Sequence, residues 1–208
     1  WLIPSTRARV AAPQGPVITE YLPSPQGRRL AYNRTPGTGP GVVFLGGFKS
    51  DMEGSKARFL EDWARAQGRA FLRFDYSGHG VSDGEFEAGC IGDWRDDARA
   101  VFLALTSGPQ VLVGSSMGGW IALLLAREMP ERIAGLVPIA AAPDFTVITW
   151  DDELTEAQRA EVRDTGRTTM DSGYADNPYV FTARLFEDGA NQRVMTTPLH
   201  LPFRTRLL

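Results

Sequence analysis

Short apolar runs alternate with amphipathic stretches along the first two thirds of the chain. Residues 17–22 and 28–34 alternate weakly about the turn Ser24-Pro25-Gln26-Gly27, which predicts an opening hairpin. After a Pro/Gly loop at 36–40, Val42-Val43-Phe44-Leu45 is a continuous apolar run, the pattern of a strand buried on both faces. Residues 55–67 carry Phe59, Leu60, Trp63 and Ala64 at helical spacing, with Gly68 as the stop. Ala70-Phe71-Leu72-Arg73-Phe74 reads as the next strand, ending at Asp75. Beyond a glycine-rich loop, Ile91, Trp94, Ala98, Val101, Phe102 and Leu105 mark one face of a second helix. Val111-Leu112-Val113, an apolar helix over 120–129 and a strand over 133–140 continue the alternation. Strands alternating with helices of about a dozen residues imply an α/β fold, a mostly parallel sheet with helices on both faces.

The alternation stops at Pro143. Residues 144–197 are irregular and richer in charge, with a capping box at Thr155-Glu156-Ala157-Gln158 and a second helical stretch over 180–188. This segment is expected to be an insertion above the sheet, a cap. Residues 198–202 lead back toward a strand that opens at Arg206-Leu207-Leu208. The expected organisation is a disordered tail at 1–16, a core at 17–142, a cap at 143–197 and a return to the core at 198–208. The tail holds Arg7, Arg9 and no acidic residue, but it is short for a targeting peptide and has no apolar stretch.

Composition changes the picture little. At 208 residues, 43% hydrophobic, 23% charged and a net charge of −3, the chain suits one domain and carries no electrostatic footprint for nucleic acid or an anionic membrane. No apolar run reaches the ~20 residues of a transmembrane helix. Cys90 is the only cysteine and reads as structural, which rules out an intrachain disulfide and fits a reducing compartment. The expected location is the cytoplasm, with the mitochondrial matrix as the alternative.

Chemistry enters at Gly114-Ser115-Ser116-Met117-Gly118, a G-x-S-x-G between an apolar strand and an apolar helix. The motif needs that context, because a tight strand-to-helix turn lifts the serine clear of the sheet. Small residues two before and two after, Gly114 and Gly118, permit the turn. Ser116 is therefore the candidate nucleophile, at a helix N-terminus whose partial positive charge favours an oxyanion. An ordinary Gly/Ser turn is the plain alternative. Gly46-Gly47 could suggest a phosphate loop, but Gly54-Ser55-Lys56 runs in the wrong order for one.

Taken together, Gly46-Gly47-Phe48, Ser50-Asp51-Met52, Gly54-Ser55-Lys56-Ala57, Phe74-Asp75-Tyr76-Ser77-Gly78, Ser82-Asp83-Gly84, Asp93-Trp94-Arg95 and residues 113–120 resemble the α/β-hydrolase superfamily. Within it, the chain looks most like the branch of palmitoyl-protein thioesterases that also cleave acyl-glucuronide esters. The resemblance implies a serine esterase or thioesterase working through an acyl-enzyme, with the Phe48 and Met117 backbone N–H groups as the oxyanion hole. It implies a small-molecule or acylated-protein ester or thioester as substrate and no metal or organic cofactor. A carboxylesterase, a peptidase and a non-catalytic hydrolase-like binding domain remain alternatives, since fold does not fix substrate.

The superfamily runs nucleophile, acid, histidine in chain order. His79 precedes Ser116, so the Asp75–Gly80 loop reads as structural, with Asp75 accepting backbone N–H groups. Asp93, Asp96 and Asp97 read as solvated residues at a helix start. The resemblance places the acid just past the strand near Arg206 and the histidine beyond the last strand, both after Leu208. Within the chain, His200 lies in a linker and Asp144 reads better as a cap hinge than as the acid. The chain as given is thus expected to be a C-terminally truncated hydrolase with its last strands missing, aggregation-prone, nearly inactive and poorly labelled by fluorophosphonates. The cap should bring Phe145, Val147, Ile148, Trp150 and Phe181 to the sheet's C-terminal edge, either to receive an acyl chain or to glue cap to core.

Overall fold

A computed structural model describes residues 18–171 and 178–208. Its strands are β1 (Glu20–Pro23), β2 (Arg29–Thr35), β3 (Thr38–Leu45), β4 (Arg69–Phe74), β5 (Gln110–Ser115), β6 (Ile133–Ile139), β7 (Arg167–Met170), β8 (Tyr179–Thr182) and β9 (Arg204–Thr205). Its helices are α1 (Ser55–Ala66), α2 (Ile91–Leu105), α3 (Met117–Glu128), α4 (Phe145–Ile148), α5 (Glu156–Thr165) and α6 (Ala183–Asn191). Seven strands form one sheet in the order β1-β2-β4-β3-β5-β6-β9. β1 and β2 form the expected hairpin, β2 runs antiparallel to β4, and the remaining neighbours are parallel. The expected tail at 1–16 and Val17 lie outside the described residues.

The period of two along the strands feeds two cores. Val43, Leu45, Leu72, Phe74 and Leu112 pack with α2 and α3 on one face. Val42, Phe44, Phe71 and Val113 pack with Ala57 and Ala64 of α1 on the other. α2 buries Ile91, Trp94, Ala98, Val101 and Phe102, the face that its spacing predicts.

α1 departs from the prediction. Phe59 and Trp63 are 73% and 43% exposed, while Ala57, Glu61 and Ala64 are the buried positions. The reason lies in β4. Arg73 follows Phe71 by two and so points at α1, fully buried, and a buried guanidinium must be paired. Glu61 meets it at 2.8 Å and also accepts from Thr35 Oγ1 at 2.8 Å. Glu53 and the Met52 carbonyl accept from Nη1, while Nη2 has no hydrogen-bond partner among the described residues. Pairing Glu61 with Arg73 sets which face of α1 turns inward.

Three boundaries also move. The expected loop at 36–40 already belongs to β3 from Thr38, which pairs with Arg69 before an irregularity at Val42. The expected helix over 180–188 starts only at Ala183. Tyr179-Val180-Phe181-Thr182 is aromatic and β-branched and pairs with β7, and the Thr182 hydroxyl caps α6 by accepting from Leu185 N–H at 3.2 Å. The strand expected near Arg206 begins at Arg204, and its ladder to β6 continues through Arg206 N–H to Leu136 O and Leu208 N–H to Pro138 O.

The segment expected as a cap carries α4, a π-type turn at Thr149–Glu153, α5, the β7–β8 hairpin and α6. Its capping box at Thr155 and Gln158 forms in both directions. Asp188 accepts from Gly92 N–H at 2.6 Å and the Trp120 indole donates to Gln192 O at 3.1 Å, which ties α6 to α2 and α3. Among the described residues no helix is long and apolar enough to cross a membrane.

The Arg73 pair yields a stability test. Glu61→Ala strips a buried cation of its main partner and should lower unfolding free energy by about 3 kcal/mol. Asp62→Ala, at a neighbouring residue whose side chain is 73% exposed, should change it by less than about 0.5 kcal/mol. Urea unfolding of both variants decides the matter, and equal losses would remove the Arg73–Glu61 pair as the organiser of α1.

Candidate active site

Ser116 lies at the bend between β5 and α3 with φ 52° and ψ −120°, backbone space that residues with a Cβ rarely occupy. The bend is held by its own peptide groups. Ser116 N–H donates to Ile139 O at 3.0 Å, and the Ser116 carbonyl accepts from Gly119 N–H at 2.9 Å and Ala142 N–H at 3.1 Å. The glycines two before and two after have a steric reason. A Cβ on Gly114 would collide with the Gly118 carbonyl, and one on Gly118 with the carbonyls of Leu45 and Gly46. The first turn of α3 therefore packs backbone to backbone against the end of β3.

From that end the loop Gly46-Gly47-Phe48-Lys49-Ser50 passes beside Ser116. A Cβ on Gly47 would stand 3.4 Å from the Ser116 Cβ. Ser50 N–H closes a turn on Gly47 O at 3.2 Å, with Lys49 at φ 57°. Met117 opens α3, where an amide has no acceptor within its own helix. The Met117 side chain is buried in the core and takes no part in the surface of the site.

The Phe48 ring is the centre of an aromatic cluster. It meets Phe86 and Trp94 from the core at 4.9 and 5.9 Å. It meets Phe145, Tyr179 and Phe181 from the cap segment at 5.5, 5.7 and 5.5 Å. Of the other cap residues expected at this edge, Val147 and Trp150 line a cavity of about 620 Å³ between α4, α5 and α6. Ile148 is exposed. Neither Ser116 nor Phe48 lines that cavity; Phe186, which does, stacks on Phe181, and Phe181 stacks on Phe48.

His79 is buried beneath the same loop. Its Nε2 accepts from Lys49 N–H at 3.2 Å and its Nδ1 meets Ser77 O at 3.1 Å. Burial pushes its pKa down to about 4. With both ring nitrogens engaged away from Ser116, His79 is a structural histidine, as the order of residues implies. Asp75 accepts from Met52 N–H at 2.6 Å and Val81 N–H at 3.0 Å, and burial raises its pKa.

Asp97 corrects the expectation of a solvated face. It is fully buried and accepts from Ser77 N–H at 2.8 Å and Ser77 Oγ at 2.6 Å, with Arg28 at 3.0 Å. Its place three after Trp94 and four before Val101 puts it on the apolar stripe of α2, a signal present in the sequence. Asp144 is buried with left-handed backbone, and its two oxygens accept from Val194 N–H and Met195 N–H at 2.8 and 2.9 Å. It thereby ties the start of the segment after β6 to the stretch that follows α6. His200 is exposed, while Leu199 and Leu201 beside it pack on the core. Cys90 is buried and its thiol is pushed up to about 12, chiefly by burial, so it is inert at neutral pH. Among the described residues no group of three or more His, Cys, Asp or Glu is placed to hold a metal ion.

The sheet order, the two helical layers and the bend at Ser116 are those of an α/β hydrolase. The family described as serine aminopeptidase, S33, matches residues 41–170, and the chain belongs to it, within the α/β-hydrolase superfamily. A solved structure from Agrobacterium vitis S4 superposes with a TM-score of 0.87 at 37% identity, covering 93% of this chain and 78% of that one. Alpha/beta hydrolase domain-containing protein 10 from mouse superposes with a TM-score of 0.82 at 33% identity, covering 91% and 76%. The mitochondrial palmitoyl-protein thioesterase ABHD10 of Rattus norvegicus is 36% identical over 193 residues, 90% of this chain. The chain spans 63% of the length of that relative.

Two outcomes follow from this geometry. Ser116→Gly removes the Cβ from a position of positive φ and should stabilise the fold by about 1 kcal/mol, where Ser116→Ala should not. Thermal unfolding of the pair reads this, and a Gly variant no more stable than Ala would show that the bend holds no strain. The second outcome concerns pH. Between about pH 6.5 and 4 the unfolded chain protonates His79 while the folded protein keeps it neutral. The unfolded state then binds more protons, so the His79 contribution weakens stability as pH falls through that window, by up to about 3 kcal/mol. Above about pH 6.5 it has no effect. Urea midpoints at pH 7 and 4.5 for wild type and His79→Gln should diverge accordingly, and parallel slopes would contradict it.

Proposed function

We propose that the protein is a serine hydrolase of acyl esters or thioesters in which Ser116 is the nucleophile. The observation that carries this reading is the positive-φ bend at Ser116, set at the N-terminus of α3 and directly beside the Gly46–Phe48 loop. On this reading Ser116 Oγ attacks the acyl carbonyl, and the Phe48 and Met117 N–H groups donate to the oxyanion of the tetrahedral intermediate. Collapse expels the alcohol or thiol, and water then hydrolyses the acyl-enzyme. Such a mechanism calls on no metal or organic cofactor. Among the described residues no side chain is assigned the role of base or acid. His79 is committed to the loop, His200 is exposed, and Asp144 binds two amides.

Support for an apolar acyl group comes from the rings of Phe48, Phe145, Tyr179 and Phe181 gathered at the loop beside Ser116. The thioesterase named among the relatives agrees with it, and an acylated protein or a small acyl ester would both present such a group. The relative's name also carries the word mitochondrial, which favours the matrix over the cytoplasm as the place of action. The aminopeptidase description of the matching family supports a second reading, an amide substrate.

A hydrolysis panel on the full-length gene product separates the two. Medium-chain and long-chain acyl thioesters and esters should turn over faster than matched amides. Ser116→Ala should lower kcat by at least about 10³-fold. Amide turnover equal to or better than ester turnover would transfer the assignment to a peptidase, and an unimpaired Ser116→Ala would end the nucleophile reading.

A further inference from the structure

We infer that His79 is a positioning residue for the oxyanion loop, its imidazole fixing the Phe48–Lys49 peptide and thereby the direction of the Phe48 N–H. The inference rests on the assignment of Phe48 as an oxyanion donor. His79 touches neither the substrate nor Ser116, and acts through Lys49.

The hydrogen-bond roles around the ring leave one arrangement. Ser77 O can only accept, so Nδ1 carries the proton; Lys49 N–H can only donate, so Nε2 is bare. The imidazole is therefore neutral and held in one tautomer. Its orientation is enforced on three sides by rings, Tyr76 at 5.5 Å, Phe86 at 5.1 Å and Trp94 at 5.1 Å between centroids. Ser77 is itself anchored. Its carbonyl also accepts from the Trp94 indole at 3.1 Å, and its N–H and hydroxyl are held by the buried Asp97. A continuous set of contacts thus runs from the middle of α2 through Ser77 and His79 to Lys49.

The other end of this chain explains why it matters. Lys49 takes φ 57°, a conformation that a β-carbon disfavours, and nothing about a lysine demands it. The bond from Lys49 N–H to His79 holds the residue there. The peptide so held is the one that follows the Phe48 α-carbon, while the ring of Phe48 is fixed by its five aromatic neighbours. With side chain and following peptide both pinned, the remaining freedom of the Phe48 N–H is small. An oxyanion donor is useful only if it is already aimed when charge develops.

The test uses the full-length gene product with His79→Phe, which keeps a ring and loses the acceptor, and His79→Gln, whose amide oxygen can accept from Lys49 N–H. With an acyl thioester substrate, His79→Phe should lower kcat by about 10- to 100-fold with KM changed less than about 3-fold, since a misaimed donor weakens transition-state binding alone. His79→Gln should restore most of the lost kcat. Two measurements do not depend on turnover. The 15N shifts of the wild-type imidazole should report the Nδ1–H tautomer, and the Lys49 amide should exchange with solvent at least about 10-fold faster in His79→Phe than in wild type or His79→Gln. An unchanged kcat in a folded His79→Phe, a Gln variant no better than Phe, or an Nε2–H tautomer each overturns the inference. If His79→Phe does not fold, the wild-type tautomer and the kcat of His79→Gln decide. If the wild type hydrolyses no ester or thioester, the functional reading falls, and Lys49 exchange with the tautomer decides whether His79 holds the loop.

Discussion

The first turn of α3 lies so close to the end of β3 that no side-chain atom fits between Gly118 and the carbonyls of Leu45 and Gly46. That backbone contact constrains everything near it. It requires glycine at 118, and through the mutual approach of the two turns it requires glycine at 114. It forces the intervening residue, Ser116, into positive φ, because the chain must reverse from strand to helix within one residue. It also brings the loop that leaves β3 to the side of Ser116. A hydroxyl, a helix N-terminus and a neighbouring loop thus meet as a consequence of one packing event, with strain at Ser116 as its cost.

The loop end of this arrangement is not self-supporting, and the buried charges of the molecule are spent on it and its neighbours. Asp75, at the end of β4, accepts from the amides of Met52 and Val81. Arg73, two residues earlier, donates to the Met52 carbonyl and pairs with Glu61 and Glu53. Asp97 grips Ser77. Each ion is met chiefly by backbone or by an opposite charge, as burial requires, with Arg73 Nη2 alone of these groups left unpartnered. Each also secures a loop at the C-terminal ends of the strands, the edge on which α/β sheets present their ligands. The opposite side of the Gly46–Ser50 loop is apolar. There the Phe48 ring joins core rings to cap rings, so a shift of the cap segment and a shift of the loop cannot be independent.

What could be read from the sequence divides along the same line. The sheet, the two helical layers and the Ser116 bend were legible because each rests on periodicity or on steric demand written into small residues. Phe71 and Val43 announce buried strands by type and spacing. The failures are polar residues with hidden partners. Glu61 turned the α1 face away from Phe59 and Trp63 because Arg73, twelve positions away, points at it, and no local pattern encodes that pairing. Asp97 was readable in principle from its register with Trp94 and Val101, but an acid near a helix start fits the helix dipole equally well. The β7–β8 hairpin hid behind residues 180–188 because Phe181, Leu185 and Phe186 also fit a helical spacing. Chain order argues against His79 as the base, but its partner Lys49 lies thirty residues earlier and is visible only in three dimensions.

Of the two halves of an acyl-transfer reaction, the described residues speak to one. On the proposed reading, attack on a carbonyl needs a nucleophile, a base to take its proton and donors for the oxyanion, and the Ser116 bend with the Gly46–Phe48 loop bears on the first and the last. Expulsion of the leaving group needs a proton donor, and the demand differs by substrate: an amide nitrogen must be protonated to depart, whereas a thiolate leaves with little help. The difference between a peptidase and a thioesterase is therefore concentrated where base and leaving group meet. The acyl side is shared by both. There the rings of Phe86, Trp94, Phe145, Tyr179 and Phe181 pack around Phe48, in the loop beside Ser116. The buried acids Asp75 and Asp97 have their oxygens committed to Met52, Val81, Ser77 and Arg28. The proposed preference for acyl esters and thioesters draws on the rings around Phe48, which offer apolar contact to an acyl chain whatever the leaving group.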